Sequence, residues 1–121
     1  MSAFERSIAL HHTGDDADIL DQILRMFLEQ GPERMALVES ALAQGAAKEL
    51  ERESHGLKGA AATLGMEDLR QASYAVERLA AEGRLEEALG GVARMRAAME
   101  AALAAVRADV DGPGPPAAPA G

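Results

Sequence analysis

Residues 46–65, Ala-Ala-Lys-Glu-Leu-Glu-Arg-Glu-Ser-His-Gly-Leu-Lys-Gly-Ala-Ala-Ala-Thr-Leu-Gly, decide how this chain folds. Leu50, Ser54, Leu57, Ala61 and Leu64 recur at spacings that alternate between four and three, the period of one face of an α-helix. Gly45 marks the stop of whatever precedes the segment and Gly65 closes it, as glycine does just past a helix C-terminus. At about 100° per residue, His55 projects roughly 140° from the apolar direction, which places its imidazole in solvent. On the same projection Gly59 and Glu51 fall about 40° from His55, Lys58 and Arg52 about 60°, and Ala62 and Lys48 about 20°, two turns away on either side.

The same periodicity extends outward. Upstream, Asp15 or Asp16 caps a first long helix in which Ile19, Leu20, Ile23, Leu24, Phe27 and Leu28 share a face. Gly31-Pro32 interrupts the pattern, but Met35, Val38, Ala41 and Leu42 resume it on a nearby face, so one helix with a kink or brief irregularity is expected. Downstream, Glu67-Asp68 opens a helix that buries Leu69, Ala72, Val76 and Leu79 before Gly83 ends it. The last helix carries Leu85, Leu89, Val92, Met95 or Arg96, Met99, Leu103, Val106 and Val110. Met26, Met35, Met95 and Met99 lie on apolar stripes and read as core.

Four long helices joined by tight turns predict an all-α fold, an antiparallel up-down-up-down four-helix bundle spanning residues 14–110. Residues 1–13 form an N-terminal arm, where Phe4 and Ile8, one turn apart, suit a short extra helix over one end. Residues 111–121, rich in Pro, Ala and Gly, have little to bury and read as a disordered tail or linker.

Composition narrows the function. The 121 residues make one domain. Phe4, Phe27 and Tyr74 are the only aromatics, so the core must be Leu, Ile, Val, Met and Ala, a composition that favours helices. A net charge of -8, with no basic cluster interleaved with aromatics, argues against nucleic acid as a partner. The chain has no cysteine, and no apolar run long enough for a bilayer or leader segment is evident, so a cytoplasmic protein without membrane insertion is expected. His11 and His12 lack a third ligand at suitable spacing, and no metal site is expected there.

The chemistry centres on His55. A neutral imidazole is the nucleophile that titrates nearest pH 7, and an exposed ring nitrogen can accept a phosphoryl group as a phosphoramidate. Lys58, one turn on, would set an ammonium beside the incoming oxygens. Gly59 removes a side chain where a second protein must approach, although glycine inside a helix costs on the order of 1 kcal/mol relative to alanine. Gly56 carries the same cost for less obvious reason. No Gly-x-x-x-x-Gly-Lys-Ser/Thr segment and no magnesium-binding acidic cluster occur, so a phosphoryl group must arrive from, and leave to, another protein.

His55, Lys58, Gly59 and Gly65, with Leu57 and Leu64 at apolar positions, resemble the signature of the histidine phosphotransfer (HPt) family, His-x-x-Lys-Gly with a second glycine six residues later. Residues of about 16 to 108 also follow the family's helix order. Gly56 and Ala60 depart from it, standing where small hydroxyl residues are common. The resemblance implies a four-helix bundle whose exposed histidine relays phosphoryl groups between receiver-domain aspartates, or accepts them from a kinase domain. It implies no cofactor on this chain, magnesium residing in the partner receiver, and no autonomous kinase activity.

An antiparallel hairpin around Gly65, pairing Leu64 with Leu69 and Ala61 with Ala72, sets His55 level with Glu77 and Arg78. Glu77 is then either a carboxylate that accepts the imidazole N–H and fixes the tautomer, at a position resembling the Gln or Glu of family members, or a solvated surface glutamate. Lys48 and Arg52 are either ordinary surface cations or contributors to receiver docking. A receiver domain of a response regulator or hybrid kinase is expected to dock over His55, Gly59, Ala62 and nearby apolar residues of the first long helix. The chain is expected to be a monomer. Two other readings stay open: the phosphoacceptor module of a larger histidine kinase, and a bundle that binds receivers without transfer.

Overall fold

Residues 2–112 are described by the computed structural model, and among them five helices and no strands occur. They are α1 (Arg6–His12), α2 (Ala17–Ala43), α3 (Ala47–Thr63), α4 (Glu67–Ala81) and α5 (Leu85–Asp111). Asp16 is the cap of α2: its carboxylate accepts the amides of Asp18 and Ile19 at 3.0 and 3.1 Å. Asp15 instead turns the chain before it, at φ 61°. Helix α2 runs unbroken through Pro32. The proline removes one amide donor, and the turns on both sides hold the helix together. At Gly31 α5 packs close: a Cβ would lie 3.2 Å from Met99 Sδ and 3.3 Å from Leu103 Cδ2.

The four long helices form a ring of antiparallel neighbours, α2 against α3, α3 against α4, α4 against α5 and α5 back against α2. Leu20, Leu24, Met35 and Val38 of α2, Leu50 and Leu57 of α3, Leu69 and Val76 of α4, and Met95, Met99 and Val106 of α5 fill the centre. On α5 the inward residues are Ala88, Val92, Met95, Met99, Ala102 and Val106, a spacing of four and three. That phase turns Leu89 outward, contrary to the expected stripe, and leaves it 61% exposed. Met26 likewise leaves the core, because it is rotated about 100° from its buried neighbour Phe27. Ile19 is also exposed, on the flank of α2 that Leu20 turns away from the interior.

Helix α1 lies over the turn between α3 and α4. The Glu5 amide donates to the Gly65 carbonyl at 2.8 Å and the Asp68 amide to the Ser2 carbonyl at 3.1 Å. His12 Nδ1 sits 2.9 Å from the Thr63 carbonyl, and since a carbonyl only accepts, that nitrogen carries the proton. Gly65 is constrained twice over. Its φ is 69°, and a Cβ would stand 2.6 Å from the Glu5 carbonyl oxygen and 3.0 Å from Ile8 Cβ. At the other end, α5 continues to Asp111. Residues 113–121 of the expected tail lie outside the described residues.

Two glycines separate these effects. Gly83 shares the positive φ, at 71°, but has nothing within 4 Å of a Cβ. Gly83→Ala is expected to cost about 1 kcal/mol and Gly65→Ala roughly twice that or more in urea unfolding, because only the second also displaces backbone. Equal losses would show that the arm does not bear on the turn.

Candidate functional site

Helical phase on α3 buries Leu57 and Leu64 and turns His55 outward, with its side chain 66% exposed. The turn at Gly65 brings α4 back along α3, and Glu77 meets the ring edge: His55 Nδ1 lies 2.8 Å from Glu77 Oε2. The Glu77 side chain is only 18% exposed, so it is not a solvated surface group. Lys58 Nζ approaches the other oxygen, Oε1, at 2.8 Å, as an ion pair. The Lys58 ammonium also stands over the Tyr74 ring, 5.1 Å from its centroid, and the Arg78 guanidinium lies 6.0 Å from the same centroid.

Burial pushes the Glu77 carboxyl up, but the contacts and charges of Lys58 and then His55 outweigh it and hold the group below its ordinary value. Glu77 is therefore a carboxylate at neutral pH and can only accept. Nδ1 of His55 must then carry a hydrogen, and in the neutral ring the lone pair is on Nε2, at the exposed edge.

Around the ring the surface is open. A Cβ at Gly59 would meet nothing within 4 Å, and Ala62 is exposed one turn further along. Lys48, Glu51, Arg52, His55 and Glu77 line one shallow depression. Arg52 is held there by Glu49, whereas Lys48 makes no ion pair among the described residues. On the opposite flank, α2 and α3 enclose an apolar groove lined by Ile23, Met26, Phe27, Leu57 and Leu64, with Arg34 at its edge. Among the described residues no group of three or more acidic or histidine side chains is arranged to hold a metal.

Two neighbours of these α3 residues escape a reading of the sequence. Tyr74 lies three residues before Glu77, and the hairpin register that levels Glu77 with His55 also levels Tyr74 with Lys58; that register was the available signal. Arg34 comes from α2 and lies across Gly56, where a Cβ would collide with its Nη2. The only trace of it in the sequence is the unexplained glycine.

An all-helical bundle with a solvent-facing imidazole whose inner nitrogen meets a carboxylate fits the class of histidine phosphotransfer modules. The Hpt domain model matches residues 22–109, well over half of the chain, and the chain belongs to that family, the phosphotransfer modules of two-component phosphorelays. Its fold is similar to the crystal structure of the HPT domain from an Hpt sensor hybrid histidine kinase of Shewanella. That match has a TM-score of 0.81 at 16% identity and covers 90% of this chain and 94% of that one. Among curated proteins no sequence matches significantly. No described helix is long and apolar enough to cross a membrane.

The lowered Glu77 value fixes a pH dependence. Its contribution to stability is complete above the ordinary carboxyl value of 4.5 and is lost as pH falls through the lower folded value. The stability gap between wild type and Glu77→Gln, measured by urea unfolding, should therefore narrow as pH falls below the ordinary carboxyl value. A gap that widens on acidification would contradict the ionised carboxylate.

Proposed function

We propose that His55 is the phosphoacceptor of this Hpt domain, with Nε2 as the attacking atom. The supporting observation is the 2.8 Å contact between Nδ1 and the Glu77 carboxylate, which in the neutral ring favours the tautomer with its lone pair on the exposed Nε2. The donor is an aspartyl phosphate of a receiver domain, held with that partner's magnesium, or a kinase domain. In the receiver case the Nε2 lone pair forms a bond to phosphorus while the bond from phosphorus to the aspartyl oxygen breaks, and the electron pair leaves on the aspartate. The proton on Nδ1 stays in place, and the positive charge that develops on the ring is balanced by Glu77. The reverse sequence delivers the group to a second receiver.

The other residues take supporting roles. Lys58 pairs with Glu77 and keeps it ionised beside the ring. Gly59 and Ala62 leave room for a receiver, and Lys48 and Arg52 offer charge to its acidic face. Leu57, Leu64 and Gly65 hold the hairpin that sets this geometry. The chain needs no cofactor of its own and has no kinase activity; it acts as a cytoplasmic, monomeric carrier.

Incubation with radiolabelled ATP alone should leave the protein unlabelled, and a radiolabelled phosphorylated receiver should label it at an acid-labile, alkali-stable bond. His55→Gln should abolish that label, and Glu77→Ala should slow its appearance by roughly 10–100-fold. Labelling by ATP alone, or label persisting in His55→Gln, would sink the assignment.

A further inference from the structure

Gly56 sits inside α3, outside any turn and without positive φ, where alanine would be the better helix former. What occupies the space of its missing side chain is the guanidinium of Arg34, which crosses from α2 onto the α3 backbone. Arg34 is half-buried and makes no hydrogen bond or ion pair among the described residues. Successive Cα atoms are only about 3.8 Å apart, so this uncommitted guanidinium rests within a side chain's length of the His55 backbone.

The neighbouring cations are less available. Lys58 is paired with Glu77, Arg52 is paired with Glu49, and Lys48 lies two turns back along α3. A phosphoryl group would bring between one and two negative charges to an exposed ring in an acidic chain. Guanidinium presents a planar fork of donors that matches such oxygens two at a time.

We propose that Arg34 is the phosphoryl-binding cation of this site and that Gly56 is the gap that seats it, an inference resting on His55 as the phosphoacceptor. As Nε2 bonds to phosphorus and the leaving group departs with its electron pair, Arg34 donates to the oxygens that carry the charge. Glu77 keeps the Nδ1 proton, and Lys58 keeps Glu77. The charged groups facing the added phosphoryl are then Arg34 from α2, Glu51, Arg52, Lys48 and Lys58 from α3, and Glu77 from α4.

The test needs no partner protein. Phosphoramidate phosphorylates imidazoles directly, its P–N bond breaking with the pair leaving on ammonia, and the product is followed by phosphorus NMR. A guanidinium beside the phosphoryl group favours its doubly ionised form and lowers the pH midpoint of the phosphohistidine resonance. Arg34→Gln should raise that midpoint by about half a unit or more and slow labelling roughly tenfold, with Arg34→Lys in between. Gly56→Ala should reproduce the Arg34→Gln shift while melting at or above the wild-type temperature, since it displaces only the end of a flexible side chain. The double variant should be no worse than either single one.

A midpoint unmoved in Arg34→Gln, or losses that add in the double variant, would overturn the role of Arg34. If the wild type forms no phosphohistidine at all, the acceptor assignment falls, and this inference falls with it.

Discussion

The registry of α4 on α3 is the constraint from which the site follows. Gly65 lies ten residues beyond His55 and twelve before Glu77, so the contact between them is made about 15 Å from the turn that sets it. A slip of one residue would rotate either side chain by about 100° and separate the carboxylate from the ring. Three features hold the register: the positive φ of Gly65, the buried pairing of Leu57, Leu64, Leu69 and Val76, and the N-terminal arm that bonds the turn through Glu5, Ser2 and His12. Helix α1 is thus tied to the chemistry although it contributes no atom to it.

Within the site, one carboxylate serves two donors. Oε2 faces the imidazole and Oε1 the ammonium of Lys58, so neither oxygen is left to solvent alone. The Lys58 ammonium and the imidazole N–H keep Glu77 ionised despite its burial, and an ionised Glu77 in turn fixes which imidazole nitrogen carries hydrogen. The tautomer of His55 is therefore a property of the α3–α4 pair rather than of the histidine.

Much of this was legible in the sequence because it depends on straight helices and on turns whose glycines are plain. The alternation of Leu50, Ser54, Leu57, Ala61 and Leu64 fixes the outward phase of His55, and counting from Gly65 along two rigid rods finds Glu77. Resolution fails where side-chain freedom or a half-turn of phase decides. Lys58 has a long flexible stem, and helical phase alone does not report that its ammonium reaches the Glu77 carboxylate of the neighbouring helix. Leu89 lies outward because the buried series of α5 runs through Ala88, Val92 and Met95, and one residue of phase turns a side chain by about 100°. Arg34 and Gly56 are 22 positions apart on helices whose rotation about one another no periodicity reports.

Tyr74 is the only tyrosine in a chain without tryptophan, and its half-exposed ring stands against the ammonium that pairs with Glu77. The protein's near-ultraviolet emission therefore arises from a single fluorophore lodged among the charges beside His55. Any event that pulls Lys58 away, or covers that face with a partner, changes the surroundings of this one ring. The site carries its own unlabelled optical reporter.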